Sequence, residues 1–158
     1  MTNNNNSASL IHETIKNLLS IQQSQKTSLE NKASMLMAFA GGMFALLMGA
    51  REAILLIPFG SQIFVLIGIV LFAISVVCST IVTWVRSYRI DPNPEVLASE
   101  YINQSPDETK LQMISNMIGS WKENSIIIER NAIILRLAFI AQSLAFTSLG
   151  IALFTSLF

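Results

Sequence analysis

Three long apolar runs without a single charge lie along this chain: Ala33–Ala50, Gln62–Val85 and Leu137–Phe158. About 20 helical residues rising 1.5 Å each cross the roughly 30 Å hydrocarbon core of a bilayer. Inside that core every backbone N–H and C=O must be satisfied within the protein, so runs of this length span as helices. The expectation is an all-α membrane protein with three transmembrane helices: TM1 over 33–50, TM2 over 62–85 and TM3 over 137–158. Chemistry is then confined to the polar segments and to the faces where spans meet.

Composition agrees. Of 158 residues, 52% are hydrophobic and 13% are charged, about half the charge of a soluble domain. The net charge is zero, so bulk electrostatics give no reason to expect a nucleic-acid partner. The one cysteine, Cys78, lies inside the second run. It has no intrachain disulfide partner and reads as a small packing residue. With His12 as the sole histidine, no zinc site or other metal is expected within one chain. The first apolar run begins too deep for a signal peptide, so no cleavage is expected. Residues 1–7, with four consecutive Asn at Asn3–Asn6, read as a disordered tail.

Nine of the ten Lys and Arg residues fall on one side of the runs. Lys16, Lys26 and Lys32 precede the first. Arg86, Arg89, Lys110, Lys122, Arg130 and Arg136 separate the second from the third. Only Arg51 lies between the first two. The positive-inside rule makes the N-terminus and segment 86–136 cytoplasmic, and the hairpin 51–61 and C-terminus external. This is the orientation expected of a multi-pass membrane protein with both its polar helical segments on the cytoplasmic side. Pro58 and Gly60 supply the hairpin turn. Arg136, at the inner end of the third span, can snorkel to the headgroups. Trp84 and Tyr88 sit where an inner aromatic belt would.

The cytoplasmic segments read as helices. Leu10, Ile11, Ile15, Leu18 and Leu19 recur at helical spacing, and no Pro or Gly interrupts Ala8–Ala40. Helix 8–32 should therefore run straight into the first span. Asn93-Pro94 marks a helix start, giving a short helix to about Ile102. Ser105-Pro106-Asp107-Glu108 marks a second start, with a capping box. Leu111, Ile114, Ile118, Trp121, Ser125 and Ile128 then alternate three and four apart, a coiled-coil-like stripe. With no further Pro, this helix should continue into the third span, about 75 Å in all. The architecture is three spans with a cytoplasmic helical stalk, and helix 8–32 is the natural partner of the stripe. A stalk of two or three helices buries little surface alone, which favours a homo-oligomer.

No Walker loop, G-x-S-x-G or H-E-x-x-H motif appears, so no catalytic residue is assigned and an enzyme is not expected. The spans carry small residues instead. Gly41, Ala45 and Gly49 share one face of the first, with Ala38 and Gly42 beside them. Ser148, Ala152 and Ser156 share a face of the third. Such faces let helices approach closely, within a chain or between copies. Gln142, deep in the third run, either ties helices together or lines a water-filled path in an assembly.

At Leu29-Glu30-Asn31-Lys32-Ala33-Ser34, leading into the Gly-containing span, the chain resembles the small three-span effectors of bacterial Pycsar antiphage systems. Those proteins share a Lys-Ala element at the start of the first span. They also share the order helix, two spans, cytoplasmic helices, third span. Related effectors of other nucleotide-signalling defence systems have a similar plan. The resemblance covers about Leu10 to the end. It implies a signalling ligand, cUMP or cCMP, made by a cyclase on infection. It further implies an output that impairs the inner membrane and arrests or kills the cell.

No strand-rich segment offers a β-roll pocket, so a nucleotide site must be built from cytoplasmic helices. Arg86 and Arg89 are candidates for the phosphate, and Tyr88, Tyr101, Trp121 or Trp84 for stacking on the base. The alternative is that the arginines anchor topology and the aromatics form belts. A structural or adaptor protein anchoring a partner through the stalk is the second functional reading. An interfacial enzyme, which needs a cluster of polar groups in a pocket, is the third.

Overall fold

The computed structural model describes residues 2–50, 52, 54, 58–84, 88–89 and 105–156. Three helices account for nearly all of them: α1 (Thr2–Gly49), α2 (Phe59–Thr83) and α3 (Pro106–Ser156). Each is long and apolar enough to cross a membrane, and no strand occurs among the described residues.

The helix starts have local causes. At α3, Ser105 Oγ donates to Glu108 Oε2 at 2.7 Å and accepts from the Glu108 N–H at 3.4 Å. Asp107 and Glu108 occupy the first turn, against the positive end of the helix dipole. Pro58 caps α2 with no side-chain hydrogen bond. Gly60 lies inside the first turn of α2 rather than in a hairpin turn. A proline's fixed φ suits a helix entrance, so Pro58 sets the boundary by itself. Trp84 closes α2, donating its N–H to the Thr80 carbonyl at 2.9 Å, and is 70% exposed.

Residues 2–7, expected as a tail, are helical and belong to α1. Extending a formed helix avoids the cost of nucleation, so even a run of Asn can be carried along. The expected helix start at Asn93-Pro94 and the short helix to Ile102 lie outside the described residues.

The chain divides into two compact units: Met1–Thr27 with Val85–Arg130, and Ser28–Trp84 with Asn131–Phe158. In the first, α1 turns Ala8, His12, Ile15, Leu19, Gln22 and Lys26 inward, three and four residues apart. Ile15 packs with Ile114 and Met117, with Ala8 and Leu19 against them. The α3 face differs from the expected stripe. Ile114, Met117, Ser120 and Asn124 are buried, whereas Leu111, Ile118 and Trp121 are exposed. On α1, Leu10, Ile11 and Leu18 are likewise exposed. A stripe read from apolarity alone ignores small and amide residues, and here those residues set the seam.

In the second unit, Leu29, Ala33, Leu36, Ala40, Met43 and Leu47 of α1 face inward at the same spacing. One cluster joins Ala33 and Leu36 to Val82, Leu135 and Ala138. Another joins Ala40 to Val65, Phe72, Ala145, Leu149 and Ala152. Phe146 stands edge-on to Phe72 with ring centroids 5.3 Å apart, and meets Phe39 at 5.1 Å. Alternating three–four spacing keeps a seam on one side of a slightly supercoiled helix, which is why one pattern serves over many turns.

Candidate functional site

Two groups of polar residues stand out, one in each unit. In the first unit Asn124, fully buried on α3, grips the backbone of Arg89. Its Nδ2 donates to the Arg89 carbonyl at 2.9 Å, and its Oδ1 accepts from the Arg89 N–H at 3.2 Å. One amide thus satisfies both main-chain groups of a residue that has left α2. The Arg89 guanidinium pairs with Glu123 Oε1 at 3.1 Å. Both side chains are about half exposed, so the pair is screened and weak.

On the neighbouring turn Gln22 donates through Nε2 to the Trp121 carbonyl at 3.0 Å. This gives the α1 seam a polar lock between its apolar positions. Lys26 sets its ammonium 5.0 Å from the centre of the Tyr88 ring, within cation–π range. Burial pushes the Tyr88 phenol above its ordinary pKa. Its hydroxyl and Gln22 Oε1 are buried with no hydrogen-bond partner among the described residues.

Of the residues proposed from sequence, Tyr88, Arg89 and Trp121 fall in this unit. Arg89 meets α3 at Glu123 and Asn124, two and three residues after Trp121, whose main-chain carbonyl accepts from Gln22. Arg86 and Tyr101 lie outside the described residues. Asn124 and Gln22 escaped notice because an isolated amide on a polar helix carries no spacing signal.

The second unit carries a polar seam between α2 and α3. Ser61 accepts from Thr155 Oγ1 at 2.8 Å, and Ser148 Oγ donates to the Phe64 carbonyl at 2.7 Å. Ser75 Oγ donates to Gln142 Oε1 at 3.1 Å, with both residues buried. The pairs run in opposite directions along the two helices, as antiparallel packing requires. Gln142 therefore ties helices together inside the chain. Gly68 marks a close approach of α2 to α3. A Cβ there would lie 2.9 Å from Leu149 Cγ and 3.3 Å from the Ala145 carbonyl oxygen.

The expected small-residue faces divide. Ser148 and Ala152 are buried in the α2–α3 seam. Gly41, Ala45 and Gly49 are exposed, and a Cβ on either glycine would meet nothing within 4 Å. Gly41 borders a groove between α1 and α2, and among the described residues the tightly packed positions of α1 in this unit are Ala33, Leu36 and Ala40.

No curated protein and no solved structure matches the chain. The Pycsar effector protein domain matches it over residues 14–158, nearly its full length and including both polar groups. With three apolar helices long enough to span a bilayer, the chain belongs to the Pycsar effector family and is a multi-pass membrane effector of antiphage defence.

Proposed function

We propose that this effector is activated by a cyclic pyrimidine mononucleotide, cUMP or cCMP. Activated, it impairs the inner membrane and stops growth, without catalysis. The observation that carries this reading is the family match over residues 14–158. The orientation it uses, N-terminus cytoplasmic and C-terminus outside, rests on the Lys and Arg bias.

The ligand would bind the first unit. Arg89 is its phosphate contact and Tyr88 and Trp121 flank the base, with Arg86 and Tyr101 as further contacts. A phosphate takes Arg89 in exchange for the Glu123 carboxylate, so ligand and ion pair compete for one guanidinium. A ligand shifts a conformational equilibrium only by its differential affinity for the two states. Loss of the Arg89–Glu123 pair supplies such a difference. Both α1 and α3 contribute residues to each unit without interruption. Repacking of their polar portions therefore has a covalent route into the spans. The exposed Gly41, Ala45 and Gly49 face, with the membrane around it, is where copies would meet in a homo-oligomer.

The test is membrane potential in bacteria expressing this chain with a cUMP-producing cyclase, a cCMP-producing cyclase, or neither. Depolarisation and growth arrest are expected with one cyclase only. Unchanged potential and growth under both would overturn the proposal.

A further inference from the structure

Between α1 and α3 of the second unit lies a lateral groove of about 430 Å³. Its lining changes character along its length. Lys32 is at one end, Phe39, Phe139 and Phe146 form the apolar wall, and Gln142 and Ser143 supply polar groups beside them. The α1–α2 groove, about 450 Å³, is lined by apolar and glycine residues alone. It needs nothing beyond lipid tails.

The charge is placed consistently. Lys32 lies seven residues before Phe39, and Arg136 seven before Ser143. Lys32 lines the groove, and the helical period puts Arg136 on the same face of α3 as Ser143, about 10 Å along the helix from it. Ala33 and Leu135, their chain neighbours, belong to one packed cluster, so Lys32 and Arg136 stand at the same level. Both are exposed, and neither forms an ion pair among the described residues. Gln142 commits its Oε1 to Ser75, which leaves its N–H groups as donors toward the groove.

Two cations at one end and an aromatic wall with amide and hydroxyl donors set within it match the groups of one kind of molecule. We propose that this groove binds an anionic phospholipid. The phosphate sits between Lys32 and Arg136, an ester carbonyl accepts from Gln142 or Ser143, and an acyl chain lies along Phe39, Phe139 and Phe146. The site rests on the chain's being a membrane protein and is independent of any nucleotide.

The experiment uses the full chain purified from a bilayer of equal phosphatidylglycerol and phosphatidylcholine, with retained lipid counted by mass spectrometry. Phosphatidylglycerol should be enriched about fivefold for each cation it meets. Lys32→Gln with Arg136→Gln should abolish the enrichment, and Lys32→Arg should keep it. Lys16→Gln with Lys122→Gln, outside the groove, should leave it unchanged. Ser143→Phe, which fills the groove without altering charge, should lower retention. Each variant is compared at unchanged helical circular dichroism. Equal retention of both lipids by the unaltered chain overturns the proposal. So does enrichment that survives both the charge and the groove-filling variants, or that falls equally in the Lys16 and Lys122 control. No nucleotide is present, so a negative result here leaves the signalling proposal standing, and the reverse holds too.

Discussion

At the scale of single residues, Arg89 and Glu123 give the sharpest handle on signalling. Glu123→Gln removes the carboxylate competing for the guanidinium. It should lower the cyclase expression needed for arrest by at most about fivefold, since an exposed pair holds only about 0.2–1 kcal/mol. Arg89→Gln should abolish arrest at any cyclase level. Growth curves over a cyclase induction series check both. Tyr88 offers a titration. Its folded pKa is raised by burial, so the folded state holds the phenolic proton more tightly than the unfolded one. The stability this contributes is whole below the ordinary phenol value of 10.0 and is lost as pH rises through the folded value. In a Tyr101→Phe background, phenolate absorbance should appear only above that pH, and detergent-solubilised protein should lose stability over the same window. The sequence offered Arg89, Tyr88 and Trp121 as candidates because charge and aromaticity are visible in one dimension. Asn124 and Gln22 were not legible. What an amide does depends on which helix face is turned inward, and on which main-chain groups lie opposite.

At the scale of elements, the α2–α3 contact separates steric from polar contributions. Gly68→Val drives methyl groups into Leu149 and the Ala145 carbonyl, and overpacking of this kind costs about 1–3 kcal/mol. Gln142→Leu removes the bond to Ser75 but leaves an apolar side chain of similar length. Hydrogen bonds between spans average only about 0.6 kcal/mol. Thermal unfolding in one detergent should therefore rank Gly68→Val well below Gln142→Leu, with Gln142→Leu near the unaltered chain. The opposite order would mean that polar bonding, rather than close approach, holds this pair. Element boundaries were legible wherever a local device marks them, as the Ser105–Glu108 capping box does for α3. The phase of the buried stripes was not. The sequence pattern chose Leu111, Ile118 and Trp121 on α3, whereas the fold turns Met117, Ser120 and Asn124 inward. Apolarity marks where a residue can be buried, and the facing helix decides which positions are.

For the whole molecule the orientation is the first property to test. Single cysteines at Thr14 and Gln62, each in a Cys78→Ser background, should label from opposite sides of the inner membrane. Position 14 should react only after permeabilisation, and position 62 in intact spheroplasts with a membrane-impermeant maleimide. Reaction from the same side would reverse the positive-inside assignment. The sequence by itself determined that this chain is helical and crosses the membrane three times. Run length and the cost of unsatisfied backbone in lipid leave no other solution. The capping box and the absence of Pro beyond Pro106 also determined that the polar helix before the third run continues into it. Only the tertiary structure decided how the polar residues are used. It paired Gln142 with Ser75 inside the chain, left Gly41, Ala45 and Gly49 facing outward, and placed Lys32 at the end of a groove. Hydropathy is a property of each residue, whereas these outcomes depend on the rotation of each helix about its axis, which is fixed only when the helices pack.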